Sequence, residues 1–63
     1  PVSAEVARLA GQIRGRLMAR GRVRTQADMM IAATAQIHHL VIVTRNTRDF
    51  EDCGVPVLNP FTP

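Results

Sequence analysis

Apolar residues recur at spacings of three and four near the start of the chain: Val6, Leu9, Ala10, Ile13 and Leu17. That spacing forms one stripe and predicts an amphipathic helix over residues 3–20. Ser3 suits the N-cap, and Glu5 in the first turn complements the helix dipole. Arg20 falls in the last turn, and Gly21 fits the left-handed position just past it. Gly11 and Gly15 each weaken the helix by about 1 kcal/mol relative to Ala. They are either simply tolerated or let a neighbouring element come close.

A polar connection, GRVRT, leads into a second helix from Thr25 to about His38. Thr25 and Asp28 have the T-x-x-D spacing of a capping box. The body of this helix is small and apolar almost all round, which predicts burial on most faces. Leu40 to Thr44, LVIVT, is short, β-branched and continuous rather than alternating. That pattern suits a strand covered on both faces, as in a parallel sheet. A helix leading directly into such a strand is half of a βαβ unit. Asn46 to Asp52 is polar and predicts a helical turn around Phe50, ended by Gly54. Val55 to Leu58 reads as a short strand, and Pro56 confines it to an edge or a strand start. Pro60 and Pro63 close the chain without regular structure. Nothing divides the 63 residues into two domains.

Composition then narrows the classes. A chain of this size buries only about 60% of the surface its unfolded form exposes, so small domains usually add a staple or a partner. The single Cys53 forms no internal disulfide and reads as a plain loop thiol. The basic residues are eight Arg and no Lys against five acids, a net charge of +3. Five of the eight crowd into residues 14–24: Arg14, Arg16, Arg20, Arg22 and Arg24. Such a stripe is either a solvated helix face or a contact for nucleic acid. With no Trp or Tyr and only two Phe, stacking of bases on aromatic rings is not expected. No basic-then-apolar leader is visible, and no apolar run approaches the roughly 20 residues of a membrane span. The chain opens on Pro1 rather than Met, so processing, proteolysis or truncation is expected to set its start.

Two carboxylates stand out. Asp28 lies in the first turn of the second helix, with Ile31, Ala32 and Ala35 on its face. A carboxylate in apolar surroundings needs a cation or hydrogen bonds. It either caps the helix, binds a cation, or does both. Asp49, with Thr44 and Asn46, follows the strand. In parallel α/β folds, strand C-termini and helix N-termini share one edge, where ligands bind. Oxygen donors there suit a hard divalent cation, although Asn and Asp are also ordinary turn residues. His38 and His39 are adjacent, so their side chains diverge by about 100° and a shared metal is not expected.

Taken in order, D-x-x-I-A-A-T-A, an apolar strand, T-R-N-x-R-D-F and G-V-P-V-L-N-P resemble the C-terminal half of a PIN domain. The likeness is strongest to the VapC-type toxins of bacterial toxin–antitoxin pairs, including FitB-like relatives. The helix carrying GQIRGRLMARGR resembles the segment before the third acid of those proteins, so the likeness covers essentially the whole chain. It implies an α/β fold, half of a PIN domain, and a metal-dependent endoribonuclease with Mg²⁺ or Mn²⁺ as cofactor. Asp28 matches the third acid. Asn46 and Asp49 match the post-strand ligand positions, and Thr44 matches a supporting hydroxyl. Asn46 stands where other members carry Asp, leaving open which of the two faces the metal.

The resemblance also implies an RNA substrate contacted by Arg20, Arg22, Arg24 and Arg45, an antitoxin partner, a homodimer and a cytoplasmic location. The family's first two acids have no counterpart here, and Glu5 is in the wrong place to replace the second. The chain by itself is therefore expected to be inactive. It either completes a nuclease or serves only as a structural half that pairs with the missing part, a second copy or an antitoxin. A helix-turn-helix reading is disfavoured, because residues 26–37 offer mainly Ala, Met and Ile to a groove.

Overall fold

A computed structural model describes residues 3–61. Helix α1 spans Ala4–Ala19 and helix α2 spans Gln26–Ile37. Strand β1 (Ile42–Val43), a 3₁₀ turn (Thr47–Phe50) and strand β2 (Val57–Leu58) follow. Both helix starts are capped as the sequence predicts. Ser3 Oγ accepts from the Val6 N–H, and Thr25 Oγ1 accepts from the Asp28 N–H, each at 3.1 Å.

Both helices end in the same way. Gly21 sits at φ 78°, and the Gly21 and Arg22 N–H groups donate back to Met18 and Leu17 carbonyls at 3.0 and 2.9 Å. After α2 the left-handed residue is His39, at φ 57°, and the Leu40 N–H donates to the Ala35 carbonyl at 2.8 Å. Left-handed geometry disfavours a side chain with a Cβ, so His39 holds this turn where Gly is usual.

The core gathers Val6, Ala10, Ile13 and Leu17 of α1 with Met29, Ala32, Ala33 and Ala35 of α2. Ile42, Phe50 and Cys53 complete it. The alanines let α2 lie close to its neighbours. Gly11 and Gly15 play no such part, because both face open space. Cys53 is no plain loop thiol but a fully buried core residue.

The two strands are parallel, with Ile42 opposite Val57 and Val43 opposite Leu58. The Ile42 and Thr44 N–H groups donate to the Pro56 and Leu58 carbonyls at 3.0 and 2.9 Å. Pro56 therefore serves as an acceptor just before β2, where its missing N–H does no harm. The backbone groups of Val43 point to the opposite edge of β1, which has no neighbouring strand among the described residues.

Two expectations about burial fail here. Leu40, Val41 and Val43 are each more than half exposed, so LVIVT is not covered on both faces. Likewise α2 is not buried all round, since Ile31 is half exposed and Thr34 lies in solvent. The molecule measures 37 × 28 × 15 Å, and its thin dimension is little more than one helix diameter. A slab of that thickness cannot cover both faces of its sheet. Among the described residues no helix is long and apolar enough to cross a membrane.

Candidate active-site edge

Helix α2 runs back along the sheet, so its N-terminus and the C-terminal end of β1 lie at the same end of the molecule. One side chain bridges the two segments. Arg24, just ahead of the α2 cap, donates from Nη2 to the Arg48 carbonyl at 2.8 Å. This brings the first turn of α2, which carries Asp28, against the 3₁₀ turn, which carries Asp49.

Asp28 is half-buried and gives its N–H to Thr25. Its carboxylate returns no bond to the Thr25 N–H, so only half of the capping box forms. Among the described residues neither the Asp28 nor the Asp49 carboxylate has a hydrogen bond or ion pair. Asp49 is also half-buried, and its N–H donates to the Asn46 carbonyl at 3.1 Å. The Asn46 side chain makes no capping bond to the 3₁₀ turn and is exposed. Thr44 Oγ1 accepts from the Asn46 N–H at 3.1 Å, which turns the chain out of β1 and toward this edge. Phe50, buried beneath the turn, anchors it to the core.

Among the described residues the two turns offer two carboxylates without partners, an amide and a hydroxyl, all hard oxygen donors of the kind that Mg²⁺ and Mn²⁺ take. The donor chemistry fits such an ion but the set is short. Among the described residues no three or more His, Cys, Asp or Glu cluster closely enough to hold a metal, and the His38–His39 pair adds none.

The arginines do not form a free stripe. Arg22 pairs with the Asp52 carboxylate, and Arg16 Nη2 donates to the Asp52 carbonyl at 3.1 Å. Arg14 Nε donates to the Arg24 carbonyl at 3.1 Å, holding the connection between the helices. Of the four arginines expected to meet RNA, Arg22 and Arg24 are engaged within the chain. Arg20 is exposed and unpaired among the described residues, and Arg45 lies over the Phe61 ring, 3.9 Å from its centroid. The sequence carries a trace of this clamp. Arg22 and Arg24 are two apart in an extended connection, so their side chains leave the backbone on the same side. They point to the loop over residues 48–52.

The charges around this loop also act on Cys53. Burial pushes its thiol above the ordinary value, with Arg24 and Arg16 opposing and with Asp52 and Asp28 adding to the rise.

No family model matches the chain. Over all 63 residues it is 33% identical to the VapC ribonuclease Y4jK of Sinorhizobium fredii, covering 45% of that protein. It is 39% identical to the toxin FitB of Neisseria gonorrhoeae over 97% of this chain and 44% of FitB. A tRNA(fMet)-specific endonuclease VapC of Shigella flexneri is 50% identical over 70% of this chain and 33% of the enzyme. The FitAcB crystal structure from Neisseria gonorrhoeae superimposes with a TM-score of 0.91 at 38% identity, covering 100% of this chain and 45% of that one. FitAB bound to an IR36 DNA fragment gives 0.91 at 36% identity.

The fold is therefore part of a bacterial toxin fold, two helices followed by short parallel strands, as expected of a partial PIN domain. In particular, the chain is related to the VapC and FitB toxins and spans about 45% of the length of the first relatives it matches.

Proposed function

We propose that this chain is the part of a VapC-like endoribonuclease that supplies the later ligands of a Mg²⁺ or Mn²⁺ site. The observation that supports this reading is the Arg24–Arg48 contact, which joins the segment ahead of Asp28 to the turn that carries Asp49, both carboxylates being without partners among the described residues. Asp28 and Asp49 hold the ion, assisted by Asn46, and Thr44 shapes the turn that presents them. A bound ion supplies activation of water for phosphodiester cleavage. Further acids must come from chain beyond these 63 residues, because a divalent ion is held more tightly as ligand charge and number rise. The chain alone is inactive on this reading. The substrate is RNA, and the partner is an antitoxin. FitAB and FitAcB, whose toxin this chain resembles, support the choice of partner.

The test replaces Asp28 by Ala in a protein extended to the length of its relatives and follows RNA cleavage with Mg²⁺. Loss of about 100-fold or more is expected, and undiminished cleavage removes Asp28 from the active site. Robust cleavage by the purified 63-residue chain would contradict the claim that it is incomplete.

A second, non-enzymatic reading rests on a different observation. Leu40, Val41 and Val43 leave an apolar face and a free strand edge in water. Such surfaces seek partners. The chain then acts as a structural half that pairs with the remainder of a longer protein. A monodisperse, stable monomer at micromolar concentration in sedimentation experiments argues against it.

A further inference from the structure

We propose that Phe61 and Arg45 form a contact for one nucleotide of single-stranded RNA, the ring stacking on the base and the guanidinium meeting its phosphate. This rests on the reading of the chain as part of a ribonuclease and adds a substrate-binding pair that the arginine stripe alone does not provide.

Arg45 follows β1 by two residues and Phe61 follows β2 by three, and β1 and β2 are adjacent and parallel. Both residues therefore emerge at the strands' C-terminal edge, the edge that also carries Thr44, Asn46 and Asp49. The Arg45 guanidinium lies 3.9 Å from the Phe61 centroid, within cation–π range. Phe61 is nevertheless 64% exposed, whereas Phe50 is buried. Its backbone N–H donates to Asn59 Oδ1 at 2.9 Å, a turn that brings the residue to this edge.

An exposed ring that meets Arg45 on one face, rather than folding against the core, leaves its other face open to a flat ligand. Arg45 has no hydrogen bond or ion pair among the described residues, so its donors are free. A flat apolar face beside a planar cation matches the repeat of nucleic acid, a flat base beside a phosphate. Stacking of bases on aromatic faces is worth about a factor of 5 to 150 in affinity, and guanidinium forks suit phosphate oxygens.

These 63 residues contain no Trp, so Phe61→Trp adds a fluorophore at this site. The experiment titrates a short single-stranded RNA into a protein extended to the length of its relatives and into its Phe61→Ala, Phe61→Trp and Arg45→Ala variants, with EDTA present so that no cleavage occurs. Circular dichroism checks that each variant keeps its fold, as exposed positions should allow. The expected results are quenching of the indole fluorescence of the Phe61→Trp variant on binding, about tenfold or greater weakening by Phe61→Ala, and a shallower salt dependence for Arg45→Ala. Equal affinity of Phe61→Ala and the parent, absence of quenching, absence of RNA binding, or preference for duplex DNA or an acidic peptide would each overturn the proposal.

The metal site is tested separately by Asp28→Ala. Loss of cleavage with stacking unaffected, or stacking without a role for Asp28, tells the two claims apart.

Discussion

The Arg24 guanidinium donates to the Arg48 carbonyl at 2.8 Å, bridging the start of α2 and the 3₁₀ turn. The two residues stand just ahead of the two carboxylates that matter, Asp28 and Asp49. A charged donor on a carbonyl contributes about 1.5–3 kcal/mol. Here the bond is exposed to water, which places it at the low end of that range.

Arg24→Met keeps the aliphatic stem and removes the clip. We expect it to lower stability by about 1–2 kcal/mol, which for a domain of this size shifts Tm by roughly 4–15 °C. Amide exchange at Asp49, whose N–H bonds to the Asn46 carbonyl, should speed up more than exchange in the middle of α1. Unchanged exchange at Asp49 would show that the turn is held by Phe50 alone. Arg22→Gln, which breaks the exposed pair with Asp52, should have a smaller effect of about 0–1 kcal/mol.

Leu17 is fully buried at the end of α1 and its carbonyl closes the helix by accepting from Arg20 and Arg22. Leu17→Ala should lower stability by about 2–5 kcal/mol. In so thin a domain that change should leave the chain largely unfolded at 25 °C by far-ultraviolet circular dichroism. Met18→Ala, one residue on and half exposed, should change stability by less than about 1 kcal/mol. Equal effects of the two would mean that α1 does not pack as described.

Cys53 lies fully buried, and burial disfavours its thiolate. Alkylation by iodoacetamide at pH 8 should therefore run well below the rate of the urea-unfolded chain. The native state keeps its proton to higher pH than the unfolded chain does. The corresponding stabilisation is complete below the ordinary value of 9.0 and is lost as pH rises from there through the raised native value. Urea midpoints should fall across that window in the parent and fall less in Cys53→Ala. A parent whose midpoint is flat there would show that the thiol is not shielded.

Val43 points its backbone to the open edge of β1 and leaves its side chain 59% exposed. Val43→Lys should oppose pairing at that edge, since charged side chains on edge strands block strand addition. Sedimentation at micromolar concentration should show less self-association than the parent. An identical distribution would place any association elsewhere.

The periodic stripe of α1, the Ser3 and Thr25 caps, Gly21 as a stop and the turn around Phe50 are all legible in the residues. Each depends on neighbours within a few positions, where spacing and local hydrogen bonding decide the outcome. The order of Asp28, the apolar strand, Asn46 and Asp49 likewise points to one edge of a parallel sheet, because a helix returning to a strand brings those ends together. The misjudged positions are those whose surroundings lie far away in the chain. LVIVT reads as covered on both faces because its residue types suit that, but coverage depends on which elements are present to supply it. Cys53 reads as a loop thiol because its neighbours are polar, yet the clamp of Arg16, Arg22 and Arg24 around residues 48–52 accompanies its burial. Phe61 reads as a lone aromatic until β1 and β2 pair and set it beside Arg45. Local physics was written in the sequence; contacts across 16 to 36 positions, as between Arg45 and Phe61 or between Arg16 and Asp52, were decided only when the chain closed on itself.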